Sequence, residues 1–180
     1  MRIIAGEKKG RRIAAPKGLS TRPTSDFVRE TAFNLIGPVD GATVLDVFAG
    51  SGALGLEALS RGAAFALFVD DGAEARALLR ENVAALGLGG VSRIFRRNAA
   101  KLGAAHPLAP FSLAFLDPPY ARSLAEQALA SARAGGWLIP GALSVVEEAA
   151  SATFAAPEGF EELERRRYDD TALIVLRHRG

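Results

Sequence analysis

The stretch LDPPY, residues 116–120, closes an apolar run with a carboxylate, two prolines and an aromatic ring. Those types in that order suit chemistry on a planar nitrogen. The lone pair of an exocyclic amine is delocalised into its ring, so the nitrogen must rehybridise before it attacks a methyl group. Hydrogen-bond acceptors on its two N–H groups favour that change. The Asp117 carboxylate and the Pro118 carbonyl would be those acceptors, with Pro118 and Pro119 fixing the backbone that carries them. Tyr120 would offer a flat face on which an unstacked base recovers about 1–3 kcal/mol. The structural alternative is a rigid Pro-Pro turn beside a half-buried tyrosine.

A second stretch, LDVFAGSGALG, places Gly50, Gly52 and Gly55 in a G-x-G-x-x-G spacing between an apolar run and a helical one. Such a loop lets backbone approach a ligand and leaves amides free at the helix N-terminus. Taken alone it fits a dinucleotide or a plain strand-to-helix turn. Asp46 narrows this, because a carboxylate there repels a pyrophosphate but favours the ammonium or sulfonium portion of an amino-acid cofactor. Asp70 ends the next apolar run, where a carboxylate accepts bonds from ribose hydroxyls or opens a turn with Asp71 and Gly72. Asn98 ends a third run and either bonds an adenine edge or caps a turn.

Elements must bring these residues together. TVLDVF, FALFVD, VSRIF and FSLAFLD read as strands, and ALGLEALSR and AEARALLRENVAAL between them as helices. That alternation predicts a largely parallel sheet covered on both faces, with ligands outside the strands' carboxyl ends. SDFVRETAFNLI predicts a helix starting near Ser25 or Asp26, with Phe27, Val28, Ala32, Phe33, Leu35 and Ile36 on roughly one side. FEELERRRY and TALIVLRH predict a closing antiparallel pair. At the start, RIIA and RRIA flank GEKKG as a hairpin with basic residues at its tip.

Composition limits the classes. The 180 residues, 49% of them hydrophobic, suffice for one core, and no run of about 18 apolar residues suggests a membrane span. A cytoplasmic protein is expected. With no cysteine and only His106 and His178, neither a thiolate site nor a multi-histidine metal centre is expected. Arginine far outnumbers lysine and alanine is abundant, which suits a GC-rich genome, while scarce Asn and Gln also suit a heat-adapted source. The net charge of +2 hides an asymmetry, for residues 1–23 hold Arg2, Lys8, Lys9, Arg11, Arg12, Lys17 and Arg22 against Glu7 alone. A basic arm on an acidic body suggests an anionic polymer as partner, or a solvated hairpin. Were it an independent arm, removing residues 1–15 would leave the glycine-loop site folded. Recognition could otherwise lie around Arg93, Arg96, Arg97 and Lys101.

VLDVFAGSGALGLEAL followed by LDPPY resembles the class I S-adenosylmethionine-dependent methyltransferases that modify planar nitrogens. MRIIAGEKKGRRI, RPTSDFVRETAFN and FAGSGALGLEALSRGA, in that order, resemble the bacterial RsmD family, which methylates guanine N2 in small-subunit rRNA. The resemblance implies an α/β, Rossmann-like fold with a mostly parallel seven-stranded sheet, helices on both faces and an N-terminal β-hairpin. It implies residues 1–23 as an RNA-binding extension and 24–180 as the methyltransferase domain. Asp46, Phe48, Gly50, Ser51 and Gly52 would hold the methionine part of S-adenosyl-L-methionine, Asp70 its ribose and Asn98 its adenine. Asp117, Pro118, Pro119 and Tyr120 would hold the guanine. Lys8, Lys9, Arg11, Arg12, Arg22, Pro23, Thr24 and Arg29 would contact or position RNA. The implied partner is 16S rRNA in a 30S subunit or assembly intermediate, with no metal and no membrane. Two departures from the pattern, Gly72 in place of an acidic residue and Asn98 where many relatives have Asp, concern cofactor contacts. The same motif could instead serve adenine N6 in DNA, a protein glutamine amide, or a non-catalytic RNA-binding assembly factor.

Overall fold

The computed structural model describes residues 1–18, 24–119 and 123–180. Seven strands form one sheet: β1 (Thr43–Val47), β2 (Phe65–Val69), β3 (Ser92–Phe95), β4 (Phe111–Leu116), β5 (Leu138–Ala149), β6 (Phe160–Tyr168) and β7 (Thr171–His178). Their spatial order is β3-β2-β1-β4-β5-β7-β6. β1 through β5 pair in parallel, and β7 runs antiparallel to both β5 and β6. The sheet is therefore mixed, with β7 as its reversed strand. The predicted closing pair is present, and the strand that follows the turn is the one that inserts beside β5. Chain order reverses between β1 and β4, so a crevice opens at their carboxyl ends.

The central strands are apolar on both faces because helices cover both. Alternate residues divide between two cores. Val44, Phe68 and Phe115 pack with α1 (Asp26–Ile36), α2 (Ala53–Ser60) and α3 (Ala73–Leu86). Leu45, Val69 and Leu116 pack with α4 (Leu124–Ala134) and with Trp137, whose indole Nε1 donates to the Gly103 carbonyl at 2.8 Å. Among the described residues no helix is long and apolar enough to cross a membrane.

α1 starts where expected, with Ser25 Oγ accepting from the Val28 amide at 3.1 Å. One of its apolar residues departs from the expected side. Val28, Ala32 and Phe33 are buried, but Phe27 points away and is 59% exposed, because at 100° per residue it shares the outer face with Thr31.

The N-terminal hairpin forms, yet it is paired through a single bridge, Arg2 with Arg12, rather than through two regular strands. Besides the bonds across it, from the amides of Ile3, Gly10 and Ile13 to the carbonyls of Arg11, Ile3 and Met1, its backbone is bonded to the body of the domain. The amides of Ile4 and Ala5 donate to the Glu57 carboxylate at 2.9 and 3.0 Å, and that of Glu7 to the Ser60 carbonyl at 2.8 Å. Gly6 has φ +82°, and a Cβ there would lie 1.9 Å from that carbonyl oxygen, so only glycine permits this approach. Ile3 and Ile13 are buried in the core shared with α1, α2 and α3. The hairpin is part of the domain's packing, so residues 1–15 are not an arm that can be removed without cost.

Candidate active site

The loop between β1 and α2 sets the first half of the site. Phe48 and Gly50 take positive φ, 59° and 56°, and Gly52 sits in the left-handed region as the α2 N-cap with no side chain capping the helix. Gly55 lets α2 pack closely on the sheet, since a Cβ there would meet the Phe68 ring at 2.4 Å, while at Gly52 the φ of +81° favours glycine and a Cβ would crowd Leu79 of α3 at 2.3 Å. Asp46 is 2% exposed, and its Oδ2 accepts from the Gly55 amide at 2.9 Å. Burial pushes its carboxyl well above the usual range, and the charges of Asp117 and Asp70 push the same way.

Asp70 joins two loops. Its Oδ2 accepts from the Gly50 amide at 3.0 Å and its Oδ1 from the Gly72 amide at 2.8 Å. Asn98 caps a 3₁₀ turn over residues 99–101, with Oδ1 accepting from Ala100 at 2.9 Å. That is the turn role open to it in the sequence, and the residue also lines the crevice.

The second half is assembled across the chain. Asp117 follows β4, and its Oδ2 accepts from the Thr24 hydroxyl at 2.8 Å, a contact between residues 93 apart. Burial raises the Asp117 carboxyl to about 6; the Thr24 bond opposes this and the charge of Glu148 adds to it. Asp46, Phe48, Gly50, Ser51, Asp70, Asn98, Thr24, Asp117, Pro118 and Pro119 all line one cavity of about 1030 Å³. Tyr120, Arg22 and Pro23 lie outside the described residues.

Other expected contacts divide. Lys9, Arg11 and Arg12 are exposed on the hairpin and Lys8 is half-buried. The Arg11 guanidinium donates to the Ala85 carbonyl at 2.8 Å, which ties it to the end of α3. Arg97 donates to the Leu102 carbonyl at 2.7 Å. Arg29 departs from its expected role of positioning RNA. Its side chain is 0% exposed, with Nε 3.5 Å from Glu57 Oε2 and Nη2 donating to Asp26 Oδ1 at 3.0 Å and to the Arg2 carbonyl. Glu57, also buried, draws the guanidinium inward, so Arg29 braces the hairpin against α1 and α2.

Two residues that carry the site had no motif to reveal them. Asn82, within α3, accepts from the Ala14 amide at 2.7 Å and donates to the carbonyls of Ala14 and Ser51 at 3.0 and 2.9 Å. It fastens the hairpin's exit to the glycine loop. Ala14, Ala15, Pro16 and Lys17 consequently form one wall of the cavity. Glu57 sits in a stretch that reads only as helical. The available signals were a polar residue on the core face of the amphipathic α3 for Asn82, and a lone charge within the otherwise uncharged α2 for Glu57.

Three carboxylates, Asp46, Asp70 and Asp117, thus converge on a crevice at the reversal of strand order beside an uncapped helix N-terminus. Among the described residues no cluster of three or more His, Cys, Asp or Glu side chains is arranged to hold a metal ion.

Residues 1–177 match the family described as Conserved hypothetical protein 95. The chain is 43% identical over 148 residues to ribosomal RNA small subunit methyltransferase D of Escherichia coli, covering 82% of this chain and 74% of that one. The chain belongs to the RsmD family. It is also 47% identical over 123 residues to the Bacillus subtilis protein YlbH, 67% of each chain. The solved structure of the Escherichia coli yhhF protein superposes with a TM-score of 0.85 at 36% identity, covering 99% of this chain and 98% of that one. In this family setting β1, α2, β2 and β4 are the elements that make up the crevice.

Proposed function

We propose that this RsmD-family chain transfers a methyl group from S-adenosyl-L-methionine to N2 of a guanine in 16S rRNA, within a 30S subunit or an assembly intermediate. The observation that carries the reading is a buried carboxylate, Asp117, held by Thr24 in the same cavity as Asp46, Gly50 and Asp70. The names of the relatives support the RNA substrate.

The residues present fit the cofactor. The charges of Asp117 and Asp70 add to the cost of ionising the buried Asp46, and a cationic ligand relieves it, whereas a pyrophosphate would worsen it. In this reading Asp46 and the Phe48–Gly52 loop hold the amino-acid end, Asp70 accepts from ribose hydroxyls and Asn98 meets the adenine through its amide group. Asp71 and Glu74 also line the cavity, so acidic groups stand near the position where Gly72 departs from the family pattern.

S-adenosyl-L-methionine supplies a methyl group already activated by a positive sulfur, so the chain's task is placement, exclusion of water and polarisation of the amine. With Thr24 on Oδ2, the Oδ1 of Asp117 remains for one amine N–H, and the Pro118 carbonyl takes the other. Acceptors fixed in a desolvated site favour the nitrogen as it becomes pyramidal and carries positive charge. Tyr120 is proposed as the stacking face for the base. The hairpin's Lys8, Lys9, Arg11 and Arg12, with Arg22, Pro23 and the segment leading to Thr24, are proposed to meet the RNA.

Transfer of labelled methyl to small-subunit RNA and to assembly intermediates, followed by nucleoside analysis, tests the reading. Labelled N2-methylguanosine is the expected product. Label in N6-methyladenosine or in protein would overturn the guanine assignment.

A further inference from the structure

The crevice has an unusual neighbour. Phe27 is the most exposed of the large apolar side chains among the described residues. A phenylalanine left in water forgoes most of its burial energy, and here the ring is also held in place. Its centroid lies 5.4 Å from that of Tyr168 with the planes at 83°, an edge-to-face contact. Tyr168 is half-buried against the core below, so it braces Phe27 from behind while the Phe27 ring stays open to solvent.

The position of the pair is set by elements already tied to the site. Phe27 lies three residues after Thr24, a span of at most about 11 Å, and the Thr24 hydroxyl is on Asp117. Tyr168 pairs with Thr171, and Thr171 with Ala149 at the carboxyl end of β5, the neighbour of β4. The aromatic pair therefore stands on the same rim of the sheet as Asp117, on the side away from the glycine loop.

Charge around the pair is mixed. Asp26 is engaged by Arg29, while Glu30 and Asp169 are exposed. Arg166 shares the face of β6 that carries Tyr168 and pairs with Glu164, while Arg167, next to it in the strand, is exposed on the opposite face. A base stacks through its π face and needs no cation at the ring itself, whereas its phosphate would be within the field of Arg166.

We propose that Phe27, braced by Tyr168, is a stacking platform for a single-stranded RNA nucleotide flanking the methylated base. The inference rests on the reading of RNA as substrate. A base drawn out of its stack leaves its neighbours unstacked too, and an aromatic ring on the rim of the sheet three residues from Thr24 replaces the contact that one of them loses.

The test compares wild type with Phe27→Ala and Phe27→Trp on small-subunit rRNA, free and within the subunit. Wild-type methyl transfer is measured first, and its absence on both forms would overturn the RNA reading and the platform together. Given wild-type transfer, Phe27→Ala is expected to weaken RNA affinity about 10-fold. Cofactor affinity, the single-turnover rate at saturating RNA and the salt dependence of binding should stay unchanged, since a stack releases no counterions. Phe27→Trp should bind at least as well as wild type. Wild-type RNA affinity for Phe27→Ala would overturn the platform alone. So would wild-type dimerisation in sedimentation that Phe27→Ala abolishes, or lost binding only to RNA carrying ribosomal proteins, which would make the patch a protein contact.

Discussion

The two halves of the crevice are built differently. On the β1–α2–β2 side, Asp46, Gly50, Gly52 and Asp70 lie within 25 residues of one another, and their geometry follows from strand ends and tight loops. On the Asp117 side, the carboxylate depends on a hydroxyl 93 residues away, and the wall shared by both halves comes from a hairpin fastened by Glu57 and by Asn82, which also holds the glycine loop. A local site tolerates change elsewhere in the chain, whereas an assembled one fails when any of its distant fastenings is removed.

Changes to the fastenings should have the largest effect. Glu57→Ala leaves the Arg29 guanidinium buried without its carboxylate and frees two hairpin amides, which should cost about 3–5 kcal/mol. For a chain of this length that is a fall in Tm of about 10 °C, measurable by calorimetry. An unchanged Tm would mean that the hairpin is separable after all.

Asp117→Ala should slow methyl transfer by about 10²-fold or more with little change in cofactor affinity, because the acceptor acts mainly as the nitrogen rehybridises. Single-turnover kinetics at saturating RNA measure this. A near-wild-type rate would remove the chemistry from the assembled half.

Asp70→Ala probes the local half and should weaken S-adenosyl-L-methionine binding by about 1–3 kcal/mol, read by titration calorimetry. It should leave the unfolding transition nearly intact, in contrast to Glu57→Ala.

The smallest effect sharpens the comparison most. With its carboxyl raised to about 6, Asp117 loses its negative charge as pH falls through that value, and transfer should fall with it. Stability runs the other way. Between 3.8 and about 6 the folded chain holds a proton that the unfolded chain releases, so this group costs stability above pH 6 and the cost fades below it. Thr24→Val removes the bond that lowers the Asp117 value, so the acid limb of the rate profile should move upward by about half to one pH unit. Thr24→Ser should restore it. An unmoved limb in Thr24→Val would confine Thr24 to a packing role.

The difference between the halves also explains what could be read beforehand. Strand ends, the glycine loop and Asp-Pro-Pro are local patterns, so β1, β2, β4 and the residues at their tips were legible. Phe27 was misassigned because it was grouped by its apolar type, whereas at 100° per residue its position lies away from Val28, Ala32 and Phe33. Arg29 was misassigned because a charged residue in a basic region gives no sign of a buried carboxylate 28 residues further on.

By itself, the sequence determined the alternation of strands and helices, the loop that must turn at Gly50 and Gly52, and the Asp-Pro-Pro run that ends β4. These depend on backbone preferences and residue types that act over a few positions. Only the tertiary structure decided that β7 would lie between β5 and β6, that Arg29 would face inward, and that Thr24 would reach Asp117. Those outcomes depend on which distant groups satisfy each other's hydrogen bonds and charges once water is excluded, and no local stretch of the chain encodes that choice.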